Sequence, residues 1–210
     1  RAERAYMPSR EEMARRNIRN VALAYLIQPA DSEFVSLAEK QFEHSDNMTD
    51  TGAALRALVN SAAPAARAAK EAALTHFYNR WVDEALVIDQ WFQIQAASPL
   101  PDTLERVEAL MHHPAYTLKN PNRARALIAP FTANLVNFHQ RSGDGYRFLA
   151  DRVIDLNAQN PMIAARILSP LTRWRKFDES RQRQMRAELE RILATDNLSP
   201  DVFEVVTKSI

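Results

Sequence analysis

The sequence predicts an all-α protein, built as a HEAT/armadillo-like superhelix of stacked antiparallel helix pairs. The 210 residues contain only 3 glycines, and alanine, leucine, arginine, glutamate and glutamine are abundant. Strands joined by tight turns use glycine at positive φ, whereas helix interiors avoid it. The second half also contains a repeat of 40 residues, which is the period of HEAT and armadillo helix pairs. We therefore expect a single α-helical repeat domain over residues 1–210.

The repeat is defined by the segments 120–132 and 160–172. Both begin with Asn-Pro, and they have Ala, Pro and Thr at matching places, with aliphatic residues aligned between them. Asn suits the N-cap of a helix, and Pro suits its first residue, where the missing N–H costs nothing. One helix pair cannot bury its apolar face alone, so such units stack into a superhelix with a concave wall.

Capping residues predict where the other helices begin. Ser9 and Glu12 form a capping box for a long helix that Pro29 ends, and Asp31 or Ser32 starts the next helix. The further starts that we expect are Thr49, Pro64, Asp178, and Ser199 with Pro200.

Two apolar patterns at helical spacing predict buried faces. In the first helix, residues recur at steps of three and four and alternate with arginines. The second pattern lies in the aromatic-rich stretch 74–94 and predicts an interhelical seam, because a hydrophobic core is the commoner use of such a pattern. The first set is Ile18, Val21, Ala22, Tyr25 and Leu26; the second is Leu74, Phe77, Trp81, Leu86, Trp91 and Ile94.

Charge and cysteine content exclude several classes of protein. With 27 basic and 26 acidic residues the net charge is +1, and acidic residues interrupt every arginine run, so we expect no nucleic-acid partner. The absence of cysteine excludes disulfides and thiolate metal sites and favours a cytoplasmic location. No apolar run approaches the length of a membrane span, and the first six residues lack the apolar core that is typical of a signal peptide. Because the chain begins at Arg1, we expect it to be a piece of a longer polypeptide.

The sequence predicts no catalytic residue, no metal site and no cofactor in this chain. Its five histidines include no His-Glu-x-x-His pair, and the adjacent His112 and His113 point about 100° apart on a helix, so they cannot easily share a metal. There is no nucleophile elbow and no phosphate-binding glycine loop. The remaining histidines, which we also expect to be structural or solvated, are His44, His76 and His139.

Most arginines are expected on solvated helix faces, paired with nearby glutamates such as Glu188 and Glu190. Arg125 and Arg166 are a separate case, since they lie at nearly corresponding depths in the two repeat copies, with Arg166 one residue further along. Equivalent positions of successive units tend to line the same wall of a superhelix. The two guanidinium groups are therefore candidates for binding a carboxylate in one cavity.

The sequence resembles the C-terminal helical domain of bacterial aminopeptidase N, a zinc metallopeptidase family of the gluzincin type. The resemblance runs in order along nearly the whole chain, and no single motif in it is as specific as a metal-binding motif. It is carried by residues 14–20, 47–50, 86–92 with Gln95-Ala96, 120–123, 155–157, Asn160-Pro161, Arg166, Arg181-Gln182 and Met185-Arg186.

The resemblance implies that zinc and the catalytic glutamate belong to a catalytic domain of the same polypeptide, outside this chain. It also implies that this chain closes over the active site and lines the channel through which peptide substrates enter. Arg125 and Arg166 match positions where the family places cationic side chains toward that chamber, and Asn122 lies beside them. The chain alone is then not an enzyme, whereas the parent is a zinc metalloaminopeptidase.

Two further expectations follow. If leading helices of the domain are missing, an apolar end face is exposed, and the chain can self-associate through it. The alternative function is a stand-alone helical-repeat scaffold that binds a protein partner on its concave wall. An upstream His-Glu-x-x-His in the same reading frame would distinguish the cap domain from the scaffold.

Overall fold

The computed structural model describes residues 6–29 and 31–210. Across these residues all regular elements are helical, namely twelve α-helices and one 3-10 helix, and no strand occurs. The prediction of an all-α protein is confirmed. The expectation that the chain is a piece of a longer polypeptide rests on Arg1, which lies outside the described residues. The chain divides into two compact units, with the boundary along the sequence between Leu100 and Pro101, and the single repeat domain stays a prediction.

The described residues of the first unit form five α-helices. The third helix, α3, is central, because it packs against each of the other four. Its Ala54, Leu55 and Leu58 side chains are fully buried and form the middle of the core. The helices are α1 (Arg10–Leu26), α2 (Ser32–His44), α3 (Met48–Asn60), α4 (Ala66–Trp81) and α5 (Ala85–Ala96).

The aromatic seam forms between α4 and α5, with one correction. Phe77 and Trp91 are buried, and the Trp91 indole N–H donates to the backbone oxygen of Leu74 at 3.0 Å. This bond satisfies the one polar atom of a buried indole. Leu86 was predicted in the same seam, but it lies in the first turn of α5 and is 73% exposed. Trp81, at the end of α4, is partly exposed.

The predicted buried face of α1 is wrong. Ile18 and Tyr25 are 71% and 75% exposed, whereas Leu23 is buried. The orientation of the helix is fixed by the buried carboxylate of Asp50 on α3, which accepts hydrogen bonds from Arg19 and Asn20 of α1. Because a buried carboxylate is costly without partners, the side of α1 that carries Asn20 and Leu23 faces the core, and Ile18 and Tyr25 are left on the outer side.

Most predicted helix starts are confirmed by side-chain caps, and one is wrong. Asn47 caps α3, because its side-chain oxygen accepts the Asp50 amide at 3.0 Å, and Thr49 already lies in the first turn. An Asn two residues earlier thus takes the role that was assigned to Thr49. The Pro64 start is displaced, since α4 begins at Ala66 after a turn. The confirmed N-caps are Ser9, Asp31, Asp178 and Ser199.

The second unit is organised around α9, which packs against α7, α8, α10 and α11. The close approach of α9 to α8 requires glycine, because a Cβ on Gly145 would lie 2.5 Å from the backbone oxygen of Phe138. Tyr146 and Phe138 are fully buried at this crossing. The elements are α6 (Thr103–Met111), α7 (Pro121–Ala133), α8 (Leu135–Phe138), α9 (Asp144–Asn157), α10 (Pro161–Ile167), the 3-10 helix (Leu171–Lys176), α11 (Glu179–Leu193) and α12 (Pro200–Thr207).

The two repeat copies begin alike and end differently. Asn120 and Asn160 are the side-chain N-caps of α7 and α10, each followed by Pro as the first helical residue. Helix α7 continues through Pro130 to Ala133, whereas α10 ends at Ile167, three residues before the matching Pro170. In both copies the terminal Thr donates its hydroxyl to the backbone oxygen three residues earlier. The repeat therefore specifies the start of each helix but not its length.

Candidate functional site

The first turns of α7 hold Asn122 and Arg125 in a defined arrangement. The side-chain oxygen of Asn120 accepts the amides of Asn122 and Arg123 at 3.0 and 3.3 Å, which fixes the start of the helix. The Arg125 guanidinium then donates to the Asn122 side-chain oxygen at 2.7 Å, and both residues are exposed. A guanidinium has five N–H donors. This bond uses one of them, and the remaining donors are available for a carboxylate.

Arg166 lies in the last turn of α10 and is exposed. This helix packs against α7, so the structure places the two predicted arginines on neighbouring helices of one unit. The C-terminal end of a helix has a partial negative charge that favours a cation there. The setting of Arg166 therefore differs from that of Arg125, which lies near the N-terminal end of its helix.

The two arginines do not occupy equivalent helical positions. Counted from the Asn caps, the residue of α10 that matches Arg125 is the half-buried Ala165, and the residue of α7 that matches Arg166 is the buried Ala126. One residue corresponds to about 100° around a helix, so the side chains leave their helices in different directions. That both face one cavity stays a prediction.

Two arginines that were expected on solvated faces are buried. Arg123 is 8% exposed and lies one helical turn from the buried Leu127. Arg16 is also buried, donates to the backbone oxygen of Met7 at 3.2 Å, and covers the Tyr6 ring at 4.9 Å. The four-residue step from Arg123 to Leu127 was a signal in the sequence, since it puts both on one helix face. By contrast, Arg186 and Arg191 pair with Glu190 and Glu188 as expected.

Two histidines, His113 and His139, have pKa values that are lowered by burial and by a nearby arginine. The Nδ1 atom of His139 lies 2.8 Å from the Tyr146 hydroxyl, and its ring stacks on Phe177 at 4.2 Å. Burial, followed by the nearby Arg181 charge, lowers the pKa of His139. Burial and then the Arg123 charge lower the pKa of His113.

Groups of metal-binding side chains and surface depressions are further features to compare with the positions of these residues in the described part of the chain. Among residues 6–29 and 31–210, no group of three or more His, Asp or Glu side chains is arranged to hold a metal ion. No helix in the described part of the chain is long and apolar enough to cross a membrane. One open depression of about 490 Å³ lies along α6 and does not include Arg125 or Arg166. Its lining comprises Asp102, Glu105, Arg106, Ala109, Leu110 and His113.

Comparison with known proteins gives consistent matches over the whole chain. Residues 1–210 match the family described as "Domain of unknown function (DUF3458_C) ARM repeats". The chain is 39% identical over 206 residues to aminopeptidase N of Escherichia coli strain K12, and 41% identical over 197 residues to aminopeptidase N of Caulobacter vibrioides. These alignments cover 98% and 93% of this chain.

A solved structure resembles the fold equally clearly. The crystal structure of Legionella pneumophila aminopeptidase A in complex with aspartic acid has a TM-score of 0.86 and 33% sequence identity, over 92% of this chain. The chain spans 23% of the E. coli relative, 22% of the Caulobacter relative and 22% of the Legionella chain. The matched region is thus less than a quarter of each of these polypeptides.

Proposed function

The chain belongs to the ARM-repeat family DUF3458_C, and from this membership we propose that it is the C-terminal cap domain of a zinc-dependent peptidase of the aminopeptidase N type. The observation that carries the proposal is identity of about 40% to aminopeptidases N over nearly the whole chain. In those relatives the region is less than a quarter of the polypeptide, which favours a domain over a stand-alone scaffold.

In this function the chain makes no bond-breaking contribution of its own. The described residues contain no group of side chains that fits a zinc ion, so the zinc and the catalytic acid and base would lie in the rest of the polypeptide. The catalytic domain of the same polypeptide is then the main partner of this chain. A cytoplasmic location is part of the proposal and is supported by the absence of cysteine.

The role proposed for the cap is to enclose the active site and to line the channel for peptides. Arg125, oriented by Asn122 at 2.7 Å, and the exposed Arg166 supply positive charge on adjacent helices. Such charge suits the carboxylate at the far end of a short peptide, because guanidinium groups bind carboxylates with two parallel hydrogen bonds. Asn122 acts by holding Arg125 in place. Loss of Asn122 should therefore also weaken the binding of peptides, but by less than loss of Arg125.

The test compares substrates of two lengths in the longer polypeptide. Arg125→Ala and Arg166→Ala should each reduce kcat/KM for a tetrapeptide by roughly tenfold, the worth of one charge-assisted hydrogen bond. An alanine chromogenic substrate, which has no distant carboxylate, should be cleaved at the unchanged rate. Arg67→Ala on α4, also exposed, is the matched control and should leave both substrates unaffected.

Two results would contradict the proposal. Equal losses for both substrates would mean that the arginines do not bind the far end of the peptide. Hydrolysis by the 210-residue chain alone, after loading with zinc, would mean that the chain holds its own catalytic site.

A further inference from the structure

The start of α11 is bonded to the corner between α8 and α9. Arg181 donates through Nε to the backbone oxygen of His139 at 2.9 Å, and the Gln184 side chain donates to that of Arg141 at 2.9 Å. The Phe177 ring, which lies two residues before α11, stacks on the His139 ring with the centroids 4.2 Å apart. We call these three contacts the α11 clasp.

A chain of hydrogen bonds runs through the clasp and orients its side chains. The Arg181 guanidinium donates to Asp178 at 2.6 Å and also to the Tyr146 hydroxyl. Because a guanidinium has no acceptor, Tyr146 must use its oxygen to accept this bond. Tyr146 is fully buried, so its own O–H also needs a partner, and Nδ1 of His139 lies 2.8 Å away. The arrangement thus requires a His139 ring whose Nδ1 carries no proton.

Protonation of His139 breaks this order of donors and acceptors. A proton on Nδ1 turns the acceptor into a donor, so the buried Tyr146 O–H loses its acceptor, which costs free energy. The charged groups that face the ring from α11 and its N-cap are Arg181 and Asp178, and the titratable group from α9 is Tyr146. Arg181 opposes the new positive charge, and Asp178 is already paired with Arg181.

The rest of α11 is held to the second unit by other contacts. Its Met185, Leu189 and Ile192 side chains are buried in the core. Further along the helix, Arg191 forms an ion pair with Asp151 of α9 at 2.7 Å. These contacts contain no histidine, so acid does not weaken them in the same pH range. Loss of the clasp therefore frees only the N-terminal end of α11 and the corner that it contacts.

From these contacts we propose that the α11 clasp is an acid-sensitive switch. Uptake of one proton by His139 releases the N-terminal end of α11 from the corner between α8 and α9, while the remainder of the second unit stays folded. The change is reversible, because it forms and breaks no covalent bond except that to the proton. It requires no peptidase activity, so it holds or fails independently of the proposed function.

Amide hydrogen exchange followed by NMR tests the switch. The rates are measured at about pH 7.5 and about pH 5.5 and corrected for the intrinsic pH dependence of exchange. The amides of Gly143 and Gln182 are hydrogen-bonded on the two sides of the clasp. We expect their corrected rates to rise at least roughly tenfold at the lower pH, whereas those of α7 stay unchanged.

Two variants separate His139 from the other titrating groups. Gln at position 139 can accept a hydrogen bond and does not titrate, so His139→Gln should remove the difference between the two pH values. His44→Gln, at an exposed site on α2, is the matched control and should retain the full difference. In the unchanged chain, the NMR signals of the His139 ring should titrate with the same midpoint as the loss of protection at Gly143.

Three outcomes would overturn the proposal. An equal rise in the rates of α7 would mean that the whole unit opens. Unchanged rates at Gly143 and Gln182 would mean that the protonated ring stays in place, attracted by the face of the Phe177 ring. A rise that persists in His139→Gln, or a different midpoint for the His139 ring, would assign the change to another group.

Discussion

The Nδ1 atom of His139 lies 2.8 Å from the hydroxyl of Tyr146, and this pair joins the end of α8 to the buried first turn of α9. Arg181 of α11 donates through Nε to the backbone oxygen of His139 at 2.9 Å. The same Arg181 forms an ion pair with Asp178 at 2.6 Å. A cation beside a half-buried imidazole opposes its protonation. The cluster therefore favours the neutral form of His139.

Stability of the second unit should therefore fall in mild acid. The pKa of His139 is lowered from its ordinary value of 6.5 by burial and by Arg181. Below pH 6.5 the unfolded chain takes up a proton that the folded chain resists, so stability is complete above that pH and decreases as the pH falls. His139→Gln should flatten the dependence of the urea midpoint on pH between 7 and 5. His44→Gln, at an exposed site on α2, should leave the slope unchanged.

Two glycine substitutions should have opposite effects on thermal stability. Gly145→Ala forces a Cβ to 2.5 Å from the Phe138 backbone oxygen, and such overpacking costs ~1–3 kcal/mol. Gly52→Ala, inside α3, meets no atom within 4 Å and should stabilise the helix by about 0.5–1 kcal/mol. Calorimetry of the two variants checks both signs. A Tm for Gly145→Ala at or above that of the parent chain would refute the close contact between α8 and α9.

Removal of the Asp50 charge should destabilise the first unit. Burial raises the pKa of Asp50, but hydrogen bonds from Asn47, Arg19 and Asn20 outweigh it and hold the pKa below its ordinary value of 3.8. This stability is present above about pH 4 and is lost as the pH falls through the lowered pKa. Asp50→Asn should cost ~1–3 kcal/mol at pH 7, reduced by the exposure of the Arg19 side chain.

Chemical denaturation at two pH values provides the measurement for Asp50. The variant and the parent chain should differ at pH 7, and the difference should shrink as the pH falls below 3.8. Glu43→Gln on α2 removes an exposed carboxylate of the same unit and serves as the control. If that control lost as much stability as Asp50→Asn, net charge rather than the buried network would explain the effect.

The matching caps of the two repeat copies should contribute similar amounts of stability. Asn120→Ala removes the side-chain acceptor of the Asn122 and Arg123 amides in α7, and Asn160→Ala removes that of the Ile163 amide in α10. We expect a loss of about 1 kcal/mol for each, measured as a shift in the urea midpoint. An Asn→Ser substitution at the same positions should restore most of the loss, because Ser is also a good N-cap; failure of this rescue would indicate a role other than capping.

Helix starts could be read from the sequence because capping is local. Five or fewer residues decide each cap, as at Ser9, Asp178 and Ser199. Which face of α1 is buried could not be predicted in this way, since the group that decides it, Asp50, lies on another helix. The apolar periodicity of α1 identifies an apolar face of the helix. It does not say whether that face packs against the core or against another neighbour.

The candidate site was predictable only in part. The repeat placed Arg125 and Arg166 on two helices that do pack together. The hydrogen bond from Arg125 to Asn122 follows from a three-residue step on one helix, which a sequence can reveal. The burial of Arg123 depends on what covers that face of α7, and a single sequence does not contain that information.

The central position of α3 has a consequence for the exchange of its amide hydrogens with solvent. Because α1, α2, α4 and α5 all pack on it, its amides become accessible only when the first unit opens as a whole. The amides of Leu55 and Leu58 should thus report the global opening free energy of that unit, whereas those near the outer ends of α1 should exchange through local fraying. Deuterium uptake along α3 would therefore measure the stability of the first unit separately from that of the second.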